Sequence, residues 1–434
     1  MRYNTTPLPK SEIEIRVEIT PEEMTRAGEK ALEEAISTTE IDGFRKGKAP
    51  KELARQKIGE TALSKRAVLE TIQNSYQKII KELQYKEGPN FEPIGAPRVD
   101  VKKYVAGGEL EYTARLSILP QLELPDYKEI AKKILSEKHS TEVSEKELEE
   151  SLLWLRKSRA QEITVARGAK KGDRVEIDFE AKVGGAPLER GLSKNHPIII
   201  GEDRFMPGFE EQLLGMKPGE KKTFSIVTPA DYVEQPLRGK TIDFTVTMNL
   251  VQERIVPDES DEFAAGIGNF KNINDLKTNI REGMLAEKEG KENERVRIRI
   301  IDAIAEKTTA EIPDILIERE LEKMMAELKS GVEQMGLDWT AYLANIKKNE
   351  EELRNGWLKD AGRRVKIALV LRKIAKIEKL EPSDAEIQEA ANKTISQMGM
   401  DEEELKKIDR EAFLEYNTVI ARNEKVFRFL ENIN

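Results

Sequence analysis

Four β-type runs crowd into residues 172–250 of the 434-residue chain: DRVEIDFEAKV, HPIII, KKTFSIVT and IDFTVTMNLV. Glycine and proline rise between them. From Pro257 onward the apolar spacing is helical, as at Ile367, Val370, Ile374 and Ile377, and no proline falls between Pro313 and Pro382. One layer of structure cannot satisfy both periods. At roughly 150 residues per domain the chain divides into two to four domains. The middle one is expected to be mostly β and the last one helical.

The first 119 residues carry a mixed pattern. In EIEIRVEI, Ile13, Ile15, Val17 and Ile19 share one face of a half-buried strand. Thr20 is a good N-cap, Pro21 suits the first helical position, and Glu22 and Glu23 favour the positive end of the helix. A second helix opens at Pro50 and stops at Gly59, and a longer one carries Leu69, Ile72, Tyr76, Ile79 and Leu83. Val99 and Val101 mark a further strand. Leu110, Tyr112, Ala114, Leu116 and Ile118 alternate through another, with AGGE as the hairpin connection. This predicts an α+β unit over 1–119. Residues 120–165 join the domains: Pro120 and Pro125 mark a linker. Ser144 and Glu147 form a capping box ahead of Leu148, Leu152 and Leu155. The β domain is bounded at 166–253 and the helical one at 254–434, where Ser383 and Glu386 form another capping box. RVRIRII at 295–301 alternates like a strand, but its helical surroundings predict helix.

Composition limits the chemistry. With no cysteine, disulfides, thiolate catalysis and cysteine zinc sites are excluded. The two histidines, His139 and His196, cannot make a dense metal site. The N-terminus is polar and the longest aliphatic run is IALVL at 367–371, so neither a signal peptide nor a membrane span is expected. The reading is a soluble cytoplasmic protein with no cofactor and no membrane partner. Hydrophobic residues make up 38% and charged residues 35%, which predicts long solvated surfaces. A net charge of −9 argues against general nucleic-acid binding, yet a local basic patch could still dock on RNA or an acidic partner.

IDGFRKGKAP, residues 41–50, is such a patch. A phosphate loop needs four residues between its glycine and the Gly-Lys pair, then Ser or Thr. Here only Phe44, Arg45 and Lys46 separate Gly43 from Gly47, and Ala49 follows Lys48. An ordinary solvated turn is the plain alternative, and Phe44 counts against it. Arg45, Lys46, Lys48, Lys51, Arg55 and Lys57 outnumber Asp42 and Glu52. Charge steering plus one aromatic anchor is the chemistry of a docking site.

GFRKGKAP resembles the signature of the trigger factor family, bacterial chaperones of the ribosomal exit tunnel, and the domain order is similar over essentially the whole chain. The resemblance implies that Phe44, Arg45 and Lys46 contact protein and rRNA at the tunnel rim, while Gly43 and Gly47 shape the loop. It implies a multidomain α+β fold. That fold has an N-terminal α+β ribosome-binding domain, an FKBP-like antiparallel β domain with a short helix, and an elongated helical chaperone domain with arms. It also implies an ATP-independent role in folding and export, nascent and unfolded polypeptides as partners, and a weak homodimer off the ribosome.

The middle domain resembles FKBP-type peptidyl-prolyl isomerases through VEIDFEAKVGG, FMPGFEEQLLGMKPGEKKTF and the final TMNLV. The resemblance places Phe179, Leu188, Phe205, Met206, Phe209 and Tyr232 in an apolar basin for an X-Pro bond. Phe209 is its floor, and Glu189 stands at a commonly acidic position. Leu188, His196 and Val246 stand where the family has aromatics, which implies a shallower basin and weaker activity. Taken singly, each of these residues reads as plain core packing. The reaction is rotation about a partial double bond with a barrier of roughly 18–20 kcal/mol. It needs no nucleophile and no proton transfer. The alternatives are a stand-alone prolyl isomerase and a ribosome-binding protein whose isomerase domain is inactive.

Overall fold

A computed structural model describes residues 1–38, 50–88, 91–105, 108–399 and 408–433. They form two compact units, Met1–Lys138 with Glu294–Asn434, and His139–Asn293.

The first unit begins with strands β1 (Arg2–Leu8) and β2 (Glu12–Ile19), followed by helices α1 (Pro21–Thr38), α2 (Lys51–Ile58) and α3 (Glu60–Glu87). Strands β3 (Pro93–Tyr104) and β4 (Leu110–Ile118) complete an antiparallel sheet of order β1-β2-β4-β3. Ile15, Val17 and Ile19 lie opposite Ala114, Tyr112 and Leu110, so the alternating apolar faces of β2 and β4 coincide and are buried. β1 has no such alternation; it is a largely exposed edge strand held by backbone pairing to β2, which is why its sequence does not announce it. Thr20 and Glu23 cap α1 reciprocally: the Thr20 N–H donates to Glu23 at 3.1 Å, and the Glu23 N–H donates to the Thr20 hydroxyl at 3.4 Å. On α3 the buried row runs through Leu63, Ala67, Ile72, Ile79 and Leu83 and bypasses Leu69, which is exposed. The fully buried Tyr112 keeps its hydroxyl 2.7 Å from the Ser75 hydroxyl on α3. After β4 comes α4 (Tyr127–Ser136).

The second unit opens with α5 (Glu145–Ser158), whose Ser144–Glu147 capping box is present. Leu152 packs with Phe263 and Ala264 of α7 (Asp261–Ile267) and with Leu276 near the start of α8 (Ile273–Lys307). Between them lie β5 (Gln161–Thr164), β6 (Arg174–Val183), β7 (Ala186–Ile199), β8 (Lys221–Val227) and β9 (Thr241–Ile255). The antiparallel sheet runs β5-β9-β6-β7, with β8 pairing β9. Val175, Ile177, Phe179 and Ala181 on β6, and Ile242, Phe244, Val246 and Met248 on β9, form its buried face. A short helix, α6 (Phe209–Leu213), packs into that face through Phe209 and Leu213.

The remainder of the first unit is helical: α8 from Glu294, α9 (Asp314–Gln334), α10 (Trp339–Ile346), α11 (Glu350–Glu378), α12 (Asp384–Met398) and α13 (Arg410–Glu431). RVRIRII is helix. Val296, Ile300 and Ile304 of α8 pack with Val370 and Ile374 of α11, Val426 and Leu430 of α13, and Ala131 and Ile134 of α4. Arg297 projects from α8 to the carboxylates of Glu424 and Glu431 at 2.6–3.1 Å, and over the Phe427 ring. The Ser383–Glu386 capping box opens α12, and Lys425 adds a 3.0 Å contact to the same carboxylate.

Candidate active site

The second unit holds a cavity of about 770 Å³. Its walls come from five places, β9 among them through Phe244. β6 brings Phe179, because alternation turns residues 175, 177 and 179 inward together. β7 brings Leu188, Glu189, Leu192 and His196 through irregular pairing. Glu180 lies opposite Leu192 while Lys182 lies opposite Pro187, so residues 188–191 bulge away from the ladder. Gly191 is required there: a Cβ would sit 2.8 Å from the Leu188 Cβ and 2.9 Å from the Ala181 carbonyl oxygen. The loop after β7 brings Phe205 and Met206, and the loop after β8 brings Tyr232, Glu234 and Pro236.

The aromatic rings form one edge-to-face set. Phe179 lies 5.2 Å from Phe205 and 5.5 Å from His196, and His196 lies 5.5 Å from Phe205. Phe209 supports them from beneath, 4.4 Å from Phe205 and 4.9 Å from Phe244. Such pairs stabilise by about 0.5–1.5 kcal/mol beyond burial alone.

Six of the seven residues expected at the basin line this cavity: Phe179, Leu188, Glu189, Phe205, Met206 and Tyr232. Phe209 is 0% exposed and lies behind Phe205, as a support for the wall. Val246 is wholly buried in the sheet core, while Phe244, two residues earlier on the same face of β9, lines the cavity. Phe244 is the lining phenylalanine that sequence reading missed, and inward alternation of IDFTV was the available signal. His196 does stand in the wall, with its Nδ1 3.5 Å from the Ser193 hydroxyl. Burial, then the charge of Glu234, pushes the Tyr232 phenol up, so at neutral pH it is a hydroxyl donor. Gly43, Phe44, Arg45, Lys46 and Gly47 lie outside the described residues.

The cavity thus has aromatic walls, a ring support and one phenol at the rim. A family model for FKBP-type peptidyl-prolyl cis-trans isomerases matches residues 165–249. Models for the bacterial trigger factor protein match residues 1–153, and for its C-terminus residues 272–431. The trigger factor of Carboxydothermus hydrogenoformans is 32% identical over 433 residues, covering 100% of this chain and 99% of its relative. The chain belongs to the trigger factor family. The trigger factor of Caldicellulosiruptor saccharolyticus is 31% identical, over 93% of this chain and 90% of its own length. A solved structure concerned with promiscuous substrate recognition by the trigger factor chaperone shares the fold at a TM-score of 0.54 and 20% identity, covering 100% of both chains.

The protein is thus a ribosome-associated chaperone with peptidyl-prolyl cis-trans isomerase activity, and it binds ribosomes and nascent chains. Matches at both ends of the chain disfavour a stand-alone isomerase. Among the described residues no helix is long and apolar enough to cross a membrane.

Proposed function

We propose that isomerisation takes place in the cavity walled by Phe179, Leu188, Glu189, Phe205, Met206 and Tyr232, over Phe209. The observation that carries this reading is the convergence of Phe179, Phe205 and Phe244 around one concave apolar surface beside the Tyr232 phenol. An amide twisted toward the barrier top loses resonance and charge separation, so an apolar surface favours it over the planar amide. The Tyr232 hydroxyl can donate to a substrate carbonyl and hold the proline ring against the wall. Glu189, exposed at the rim, borders the path of the flanking chain. Catalysis has value because the uncatalysed step takes roughly 10–100 s at 25 °C.

The same reading assigns ribosome docking to Phe44, Arg45 and Lys46, with Gly43 and Gly47 shaping their loop. The contact is with protein and rRNA at the exit-tunnel rim. It assigns residues 1–119 to the ribosome, 120–165 to a connection, 166–253 to isomerisation and 254–434 to client binding. The protein acts in the cytoplasm and forms a weak homodimer off the ribosome. The motif GFRKGKAP supports the docking assignment. Co-sedimentation with ribosomes tests it: the triple Ala variant at Phe44, Arg45 and Lys46 is expected to stay in the supernatant, and unchanged binding would refute it. For the basin, Phe205→Ala in the full chain is expected to lower the catalysed isomerisation of a Leu-Pro peptide by at least about tenfold. Unchanged activity would refute the basin.

A further inference from the structure

The segment that carries Phe205 and Met206 into the basin is held by a carboxylate not included in the assignment above. Glu210, on α6 beside Phe209, is only 3% exposed. A carboxylate buried that far is costly unless hydrogen bonds replace its water. Here they come from the backbone of the loop. The Gly201 N–H donates to Oε2 at 2.5 Å, the Asp203 N–H donates to Oε2 at 3.2 Å, and the Arg204 N–H donates to Oε1 at 3.0 Å. The bonds span residues 201–204 and end immediately before Phe205.

The loop would not choose this shape unaided. Gly201 has φ +91° and Asp203 has φ +51°, a left-handed conformation that a non-glycine residue adopts at a cost. Three amide groups turned toward one point require an anion or an acceptor there, and Glu210 supplies both oxygens. Charge-assisted bonds of this kind are about twice as strong as neutral ones. The other end of the loop is tied to the same helix by the Phe209 N–H, which donates to the Met206 carbonyl at 2.9 Å. Residues 201–206 are thereby fixed at both ends to the helix that begins with Phe209.

We propose that Glu210 is a positioning residue for prolyl isomerisation: its buried carboxylate shapes the 201–204 loop and so presents Phe205 and Met206 to the substrate. Glu210 does not touch the substrate and transfers no proton. It acts by making the wall rigid before the X-Pro segment arrives, so that no binding energy goes into ordering the loop. This rests on the basin reading.

The test uses the full-length chain and a short Leu-Pro peptide, with kcat and KM measured separately for wild type, Glu210→Gln, Glu210→Ala and Phe205→Ala. Hydrogen exchange over residues 200–206 and the thermal unfolding transition are followed in parallel. Glu210→Gln keeps the volume and one acceptor oxygen, so kcat/KM is expected to fall in the order wild type, Gln, Ala, with the Ala variant down about ten- to hundredfold. KM should rise and exchange over 200–206 should accelerate while the rest of the unit stays protected. A variant that merely unfolds in part lowers apparent kcat with KM unchanged, and that outcome overturns the proposal. So does unchanged kcat/KM in both Glu210 variants with exchange over 200–206 accelerated. If Phe205→Ala also leaves activity intact, the basin reading itself has failed. If Phe205→Ala is inactive while both Glu210 variants keep wild-type kcat and KM, only the Glu210 proposal has failed.

Discussion

The middle unit and the helical part of the first unit spend their apolar residues differently. In the middle unit, Phe179, Phe205, Phe209, Phe224 and Phe244 gather in a single cluster that leaves one concave surface open. In the helical part the apolar residues divide between a large closed cluster on α4, α8, α11 and α13 and a small one on α9 and α11, and ionic groups join the helices: Arg297 to Glu424 and Glu431, Arg363 to Asp302, Arg364 to Glu320 and Glu327. On the proposed reading the first arrangement recognises a defined chemical feature, the X-Pro bond. The helical part carries scattered exposed apolar side chains, among them Leu358, Leu414 and Tyr416, which on the same reading suit weak binding of many sequences. The two activities are therefore expected to be separable by mutation.

The largest expected effect is at the ring beneath the basin. Phe209→Ala removes the support of Phe205 and should bring isomerisation of a Leu-Pro peptide down to the uncatalysed rate. The cavity left behind also costs about 3–5 kcal/mol of stability in that unit. Scanning calorimetry of the full chain should then show the transition of the middle unit lowered while that of the helical part stays in place. A common shift of both would break the contrast.

Next is the ionic join. Arg297→Met leaves Glu424 and Glu431 facing an apolar chain; because all three groups are partly exposed, the loss should be only about 1–2 kcal/mol. Urea unfolding of the helical part checks it, and isomerase activity should not change.

A smaller change should sharpen the basin. His196→Phe adds an apolar ring to the wall, and contact with the twisted proline would raise kcat/KM about two- to tenfold. A fall in kcat/KM would assign the imidazole a direct part in binding.

The smallest effect is in the caps. The Ser383 backbone N–H, Lys425 and the Ser383 hydroxyl bring the Glu386 carboxyl from 4.5 to about 2. Lys288 and Ser144 do the same for Glu147, also to about 2. The folded state lowers both groups, so their contribution is complete above about pH 4.5 and is lost as pH falls toward 2. The melting temperature of Glu386→Gln should therefore vary less than wild type across that interval, and the two curves should converge at its acidic end.

Periodicity made much of this legible. The strands of EIEIRVEI and DRVEIDFEAKV and the boxes at Ser144 and Ser383 are local signals, written within a few residues. β1 and β5 are not legible, because each is an exposed edge strand held by backbone bonds, β1 to the adjacent β2 and β5 to the distant β9. Phe244 was missed for a related reason. Phe244 and Val246 both face inward on β9, and the strand's own pattern does not distinguish the one that lines the basin from the one buried in the core. Glu210 reads from sequence as one more helical acid, and only the fold turns it toward the amides of residues 201, 203 and 204.

Separability is tested most directly by assaying Phe205→Ala, in the full chain, for both activities side by side: catalysed isomerisation of a Leu-Pro peptide and suppression of aggregation when a denatured protein is diluted into it. Isomerisation is expected to drop by at least about tenfold with aggregation suppression at the wild-type level. Loss of both together in a folded protein, or neither, would contradict the division of work between the basin and the helices.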